Sequence, residues 1–208
     1  MHRILIADDH VIVRAGLKQI LVEEFPQARI EEVGDTESLL VKIVKEDWDL
    51  VISDLSMPGK SGLEALGQIK QQKPKLPVLI LSIHPEDQYA VRVLKAGAAG
   101  YLNKSLAAEE LVIAVNRVLM GRKYITAAVA EKLASQLDDG PQAAHENLSD
   151  REFDVLKLIA SGKSVSEIAE LLSLGVTTVS TYRARVLEKM SMKTNAELTR
   201  YALENKLV

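Results

Sequence analysis

Five short apolar runs, separated by stretches of helical period, constrain this chain more than any other feature. Arg3 to Ala7, Ile30 to Val33, Leu50 to Asp54, Val78 to Leu81 and Gly100 to Lys104 read as strands. Between them, Val11 to Val22 places Val13, Leu17, Ile20 and Leu21 on one helical face. Asp35 is placed to cap a second helix with a stripe of Leu39, Leu40, Ile43 and Val44. Gly62 to Gln72, Glu86 to Lys95 and Leu106 to Met120 continue the series, with Gly97 and Gly121 as stops. Strict alternation implies parallel strands joined by right-handed crossovers. Strands that are apolar almost throughout fit a sheet covered on both faces. The expected fold is α/β, a doubly wound five-stranded parallel sheet.

The strand ends carry the chemistry. Val51-Ile52-Ser53 runs into Asp54, followed by Leu55, Ser56, Met57 and a Pro58-Gly59 turn. Asp8 and Asp9 end strand one, Ser82 ends strand four and Lys104 ends strand five. In such sheets ligands bind outside the carboxyl ends of the strands, where these residues gather. Each alone has an ordinary explanation: a strand-end aspartate caps a helix or forms a turn, the Asp8-Asp9 pair favours a helix N-terminus, and a lysine is solvated. Their joint position at one edge is the signal. Clustered carboxylates repel unless a cation sits among them, and hard oxygen ligands suit Mg²⁺. Asp54 is then an in-line nucleophile toward a phosphoryl group. Lys104 serves as a point charge on one phosphate oxygen, and Ser82 donates its hydroxyl to another.

With 208 residues the chain is long enough for two domains. No apolar run reaches the roughly 18 residues a membrane span needs, and acids directly after the first apolar run do not suit a signal peptide. Cysteine is absent, which excludes disulfides and thiolate metal sites. A cytoplasmic protein with no membrane partner is expected. Net charge is −3. Residues 148–208 hold 9 Lys+Arg against 8 Asp+Glu, leaving 17 against 21 before them. Any nucleic-acid contact in the tail therefore rests on local placement of charge.

After Gly121 the pattern changes. Residues 1–121 form the α/β domain, and 122–147 read as a linker. The linker has an Ala-rich helix over Thr126 to Leu137 and a tether containing Gly140-Pro141. Residues 148–208 read as all-helical. Ser149/Glu152, Ser164/Glu167 and Thr194/Glu197 each match a capping box opening an amphipathic stretch. A fourth helix, about Thr177 to Met190, follows the turn Ser173-Leu174-Gly175-Val176, which gives a helix-turn-helix. Ile168, Leu171, Leu174 and Val179 are its expected shared core. Ser180, Thr181, Ala184 and Arg185 make a face suited to base edges. Thr177, Thr178, Tyr182, Arg183 and Lys189 suit phosphates. The ordinary alternative is a solvated helix surface.

Residues 1–120 resemble a CheY-like (flavodoxin-like) receiver domain of two-component response regulators. The resemblance rests on Asp8-Asp9, Asp54 followed by Met57-Pro58-Gly59, Ser82, and Lys104 three places after Tyr101. It implies phosphorylation of Asp54 by a sensor histidine kinase. It also implies Mg²⁺ held by Asp9, Asp54, Asp8 through water and the Ser56 carbonyl, with Ser82 and Tyr101 moving together as a switch and Tyr101 turning inward. Ser105 stands where many receivers have a proline, so a trans peptide is expected. Residues 148–208 resemble the four-helix DNA-binding tail of NarL/FixJ (LuxR-type) regulators. The matching residues are Leu148 to Glu152, Val155-Leu156, Ile168-Ala169, Leu172 and Thr178-Val179. Tyr182 replaces the family's usual histidine, and Val179 to Tyr182 with Leu187 to Lys189 is closer to the BvgA/EvgA-like branch.

The reading is a transcription regulator, not an enzyme, that phosphorylation switches toward homodimers on an inverted repeat of double-stranded DNA. Leu198, Tyr201, Ala202 and Leu207 of the last helix are a candidate dimer contact, with packing inside the tail as the alternative. A Mg²⁺-dependent phosphohydrolase of the aspartyl-phosphate type is a rival, but it needs an acid two residues after the nucleophile, where Ser56 stands. A receiver that binds DNA without phosphorylation is the other rival, and the intact acidic set argues against it.

Overall fold

The computed structural model describes residues 1–57, 62–105, 108–138 and 144–208. The chain divides into two units, Met1–Asp138 and Asp139–Val208. Pro58 and Gly59, Leu106, and the tether's Gly140-Pro141 lie outside the described residues.

The first unit has strands β1 (Arg3–Ala7), β2 (Arg29–Val33), β3 (Leu50–Asp54), β4 (Val78–Ser82) and β5 (Gly100–Asn103). They alternate with helices α1 (Val11–Glu24), α2 (Thr36–Lys45), α3 (Gly62–Gln72), α4 (Glu86–Lys95) and α5 (Ala108–Leu119), and α6 (Ala127–Asp138) follows. All strands are parallel, in the order β2-β1-β3-β4-β5. β3 and β4 are buried throughout because helices cover both faces of the sheet. Ile4, Ile6, Leu50, Ile52, Leu79, Leu81 and Leu102 pack on one face with Leu21, Leu111, Val115 and Val118. Leu39, Ile43, Leu66 and Ile69, from α2 and α3, are likewise buried. Asp35 caps α2 as expected, accepting the Ser38 N–H at 2.8 Å. Val44 is exposed, at the edge of that helix's inward stripe.

This order puts a switch point between β1 and β3, the neighbours whose connections leave in opposite directions. Ala7 pairs with Ser53, so Asp8 and Asp54 follow side by side at the carboxyl edge. Gly62 starts α3 against the strand that carries Asp54. A Cβ there would lie 2.4 Å from the Leu55 carbonyl oxygen, so only glycine allows the close approach.

The second unit holds a 3₁₀ turn (Ala144–Asn147) and helices α7 (Asp150–Ala160), α8 (Val165–Leu171), α9 (Val176–Lys189) and α10 (Asn195–Glu204). Ser149, Ser164 and Thr194 form complete capping boxes with Glu152, Glu167 and Glu197. Between α8 and α9, Ser173 takes φ +53° and the Leu174 N–H donates to the Ala169 carbonyl at 2.8 Å. Phe153, Val155, Leu156, Ile168, Ala169, Val179 and Val186 are buried here.

Two expectations are corrected in this unit. Leu171 is exposed, because Ile168, Ala169 and Leu172 set the inward face of α8 and leave it past the edge. Leu198, Ala202 and Leu207 are buried within the unit, where α10 packs on α7, and the Tyr201 hydroxyl meets His145 Nδ1 at 2.9 Å. That face of α10 is spent on the unit's own core and is not a free dimer surface.

Candidate acidic site and nucleic-acid interface

The carboxyl edge of the sheet brings Asp8, Asp54 and Lys104 together. Asp8 is 1% exposed and Asp54 4%. Lys104, carried past the end of β5, places Nζ 2.8 Å from Asp54 Oδ2 and 2.6 Å from Asp8 Oδ2. Burial pulls the Lys104 pKa down, but hydrogen bonds and charge from Asp54 and Asp8 outweigh it and hold it above its ordinary value. Asp54 Oδ1 accepts the Ser56 N–H at 3.1 Å. The lysine thus acts as counterion to two buried carboxylates that could not otherwise sit side by side.

Asp9 stands beside this pair, and His10 joins it. Ligand atoms of Asp8, Asp9, His10 and Asp54 all lie within 4.8 Å of one another. His10 Nδ1 is 2.8 Å from Asp9 Oδ1 and 3.2 Å from Asp8 Oδ1. Asp8 Oδ2 and Asp9 Oδ1 are buried, the first met by Lys104 Nζ at 2.6 Å and the second by His10 Nδ1 at 2.8 Å. Three carboxylates with unused oxygen lone pairs are a donor set that fits a hard divalent cation such as Mg²⁺.

Ser82 and Tyr101 are linked through a third residue. Both meet at His84, a residue the sequence pattern did not single out. Fully buried, the Ser82 Oγ accepts the His84 N–H at 3.1 Å. The Tyr101 hydroxyl donates to the His84 carbonyl at 2.7 Å, and Asn103 Nδ2 donates to the same oxygen at 3.1 Å. The imidazole stacks on Tyr89 and puts Nε2 3.3 Å from Ser56 Oγ. Tyr101 was expected to turn inward on phosphorylation; here it is already buried, because the His84 carbonyl holds its hydroxyl inside. No described peptide is cis, so Lys104–Ser105 is trans as expected.

In the second unit, α8, its turn and α9 make the helix-turn-helix. Val179 and Val186 turn inward, which leaves Thr177, Thr178, Ser180, Thr181, Ala184 and Arg185 exposed. Tyr182 and Arg183 are half-buried, and Arg183 Nε donates to Asn195 Oδ1 at 2.7 Å. The Thr181 hydroxyl donates back to the Thr177 carbonyl at 3.0 Å. Lys189, also exposed and one turn after Arg185 on α9, is paired. Its ammonium lies 2.6 Å from Glu152 Oε2, inside the unit.

Residues 4–116 match the response regulator receiver domain, and residues 146–202 match the bacterial regulatory proteins of the luxR family. The chain is a NarL/FixJ-family response regulator. Response regulator UvrY of Escherichia coli (strain K12) is 34% identical over 209 residues, covering all of this chain and 96% of that protein. The oxygen regulatory protein NreC of Staphylococcus carnosus is 36% identical over 214 residues, covering 99% of each. Among solved structures, RcsB of Salmonella enterica serovar Typhimurium, bound to promoter rprA with phosphomimetic BeF3-, has a TM-score of 0.64 at 27% identity. That match covers 96% of this response regulator and 97% of RcsB. This response regulator therefore joins a receiver to a LuxR-type DNA-binding unit, the combination found in transcription regulators. No helix among its described residues is long and apolar enough to cross a membrane.

Proposed function

We propose that Asp54 is the phosphoacceptor of this response regulator and that its phosphorylation controls homodimer formation and DNA binding by the tail. The convergence of two buried aspartates on the Lys104 ammonium carries this reading. An Asp54 oxygen attacks phosphorus in line, a P–O bond forms, and the bond from phosphorus to the donor's imidazole nitrogen breaks. Lys104 exchanges its hold on Asp54 Oδ2 for a phosphoryl oxygen, and Ser82 donates its hydroxyl proton to another. Ser82 is free to do so because its Oγ acts as acceptor toward His84. Asp8, Asp9, Asp54 and the Ser56 carbonyl would hold Mg²⁺, which when bound neutralises charge on the acids and the incoming group. The phosphodonor is a sensor histidine kinase.

Residues 1–121 would receive the phosphoryl group, 122–147 would link, with α6 docked on the first unit, and 148–208 would bind DNA. Ser180, Thr181 and Ala184 would reach base edges, with Arg185 alongside them. Thr177, Thr178, Tyr182, Arg183 and Lys189 would reach phosphates. Two tails in a dimer suit an inverted repeat. Sustained turnover is not expected, since Ser56 occupies the position where an aspartyl-phosphate hydrolase needs its second acid. The test is labelling by a small phosphodonor with Mg²⁺. Asp54→Asn should lose it, because an amide is a poor nucleophile, and stoichiometric labelling of that variant would remove Asp54 from its role.

A further inference from the structure

We propose that the segment from Tyr124 through α6 is a latch on the first unit, and that phosphorylation loosens it. The proposal rests on the Asp54 reading and names the element through which the signal leaves the receiver.

The segment after α5 is tied down at three points. Tyr124 bridges to Gly100 at the start of β5, and its N–H donates to the Ala99 carbonyl at 2.8 Å. Only glycine permits this approach, since a Cβ at Gly100 would meet the Tyr124 carbonyl oxygen at 2.8 Å. The Tyr124 hydroxyl bonds Glu110 of α5. The Thr126 hydroxyl joins two helix starts: it accepts the Val129 N–H of α6 at 3.4 Å and donates to Glu86 Oε1 of α4 at 2.8 Å. Behind it α6 packs on α4, with Val129 buried. The helix expected to be a linker therefore belongs to the first unit.

Two of these attachments lie next to the switch residues. Gly100 adjoins Tyr101 in β5. Glu86 is two residues past His84, whose N–H the Ser82 Oγ accepts and whose carbonyl Tyr101 holds. Ser82 cannot approach a phosphoryl group on Asp54 without drawing on the His84 amide, and Pro85 and Glu86 follow. Glu86 then leaves Thr126, and α6 loses the bond that fixes its first turn. α6 ends at Asp138, where the chain leads on to the DNA-binding unit, so the loss falls on the element that connects the two. A docked helix of purely structural role would not respond in this way.

Amide exchange on the full-length chain tests this, with Mg²⁺ and beryllofluoride as the probe and ¹⁹F NMR to report occupancy of Asp54. Loading should speed exchange over residues 127–134 by about fivefold, the factor one net hydrogen bond represents. Glu86→Ala should produce the same rise without the probe, while Glu86→Gln, which keeps an acceptor oxygen, should not. Unchanged or slower exchange in loaded protein overturns the latch, as does Glu86→Ala with native exchange. A chain that shows no loading at all overturns the Asp54 reading, and the latch with it.

Discussion

Lys189→Met separates two roles that the position of this lysine would otherwise confuse. Glu152 is 2% exposed, and its Oε2 accepts from the Ser149 N–H at 2.7 Å and from Lys189 Nζ at 2.6 Å. The methionine keeps an apolar stem but leaves the carboxylate with one partner. Breaking a fully buried pair costs about 3–5 kcal/mol, and an exposed pair about 0–1 kcal/mol. The lysine side chain is 41% exposed, so the expected loss is about 2 kcal/mol, roughly a thirtyfold drop in amide protection of α7 and α9. Burial pushes the Glu152 pKa up, yet the Lys189 and Ser149 hydrogen bonds outweigh it and hold the group below its ordinary 4.5. A depressed carboxyl stabilises the fold above its unfolded pKa and loses that contribution as pH falls through the folded one. The gap between native and Lys189→Met should therefore be full at pH 7 and close below 4.5. A gap that stays constant down to pH 3, or one under about 0.5 kcal/mol, would refute the ion-pair account. DNA binding gives the second readout. If Lys189 serves Glu152 alone, its loss leaves the slope of log K against log salt unchanged.

Other perturbations have definite directions. Arg183→Ala, at a residue of α9 assigned to phosphate, should flatten that salt slope by about 0.9, the value of one phosphate contact, in a titration of binding against salt. Gly62→Ala drives a Cβ against the Leu55 carbonyl and should cost about 1–3 kcal/mol in urea unfolding of the first unit, with slower phosphoryl uptake because Leu55 adjoins Asp54. Mg²⁺ should raise the thermal midpoint of the native chain, since a ligand that binds only the folded state stabilises it. Asp9→Asn should abolish that rise, and an equal rise in both would place the cation elsewhere.

Local hydrogen bonding was legible in the chain and long-range partnership was not. Each capping box is complete within four residues, so the Ser or Thr and the Glu could be read together. The strands were legible because burial on both faces demands unbroken apolar runs, and the alternation fixed the edge where Asp8, Asp54 and Lys104 meet. His84 was invisible because its partners Ser56 and Tyr101 lie 28 and 17 residues away, and nothing local marks a histidine whose peptide group does the binding. The pairing of Lys189 with Glu152 was invisible because the two lie 37 residues apart and the glutamate was already explained by its cap. The apolar stripe of α10 suited a dimer face or an internal one equally. Only the position of α7 decides between them.

Lys104 explains why the acidic site can exist before any phosphate reaches it. The site carries three carboxylates, two of them buried, and the Lys104 ammonium lies within 3 Å of both buried ones. That ammonium cannot keep both contacts once Asp54 Oδ2 is bonded to phosphorus, because the new group brings its own oxygens into the same space. On the proposed role of Asp54, Lys104 would exchange Asp54 Oδ2 for a phosphoryl oxygen, and a cation among the acids would balance the negative charge the new group adds. On that role, phosphorylation and cation binding would be coupled through this one displacement. The coupling needs no movement of the strands, only a side chain exchanging one oxygen for another. The Ser82–His84 bond lies directly beside that exchange, since the Lys104 N–H donates to the Ser82 carbonyl at 2.8 Å. Chemistry at Asp54 and the loop that leads into α4 are therefore joined through the backbone of the same two residues.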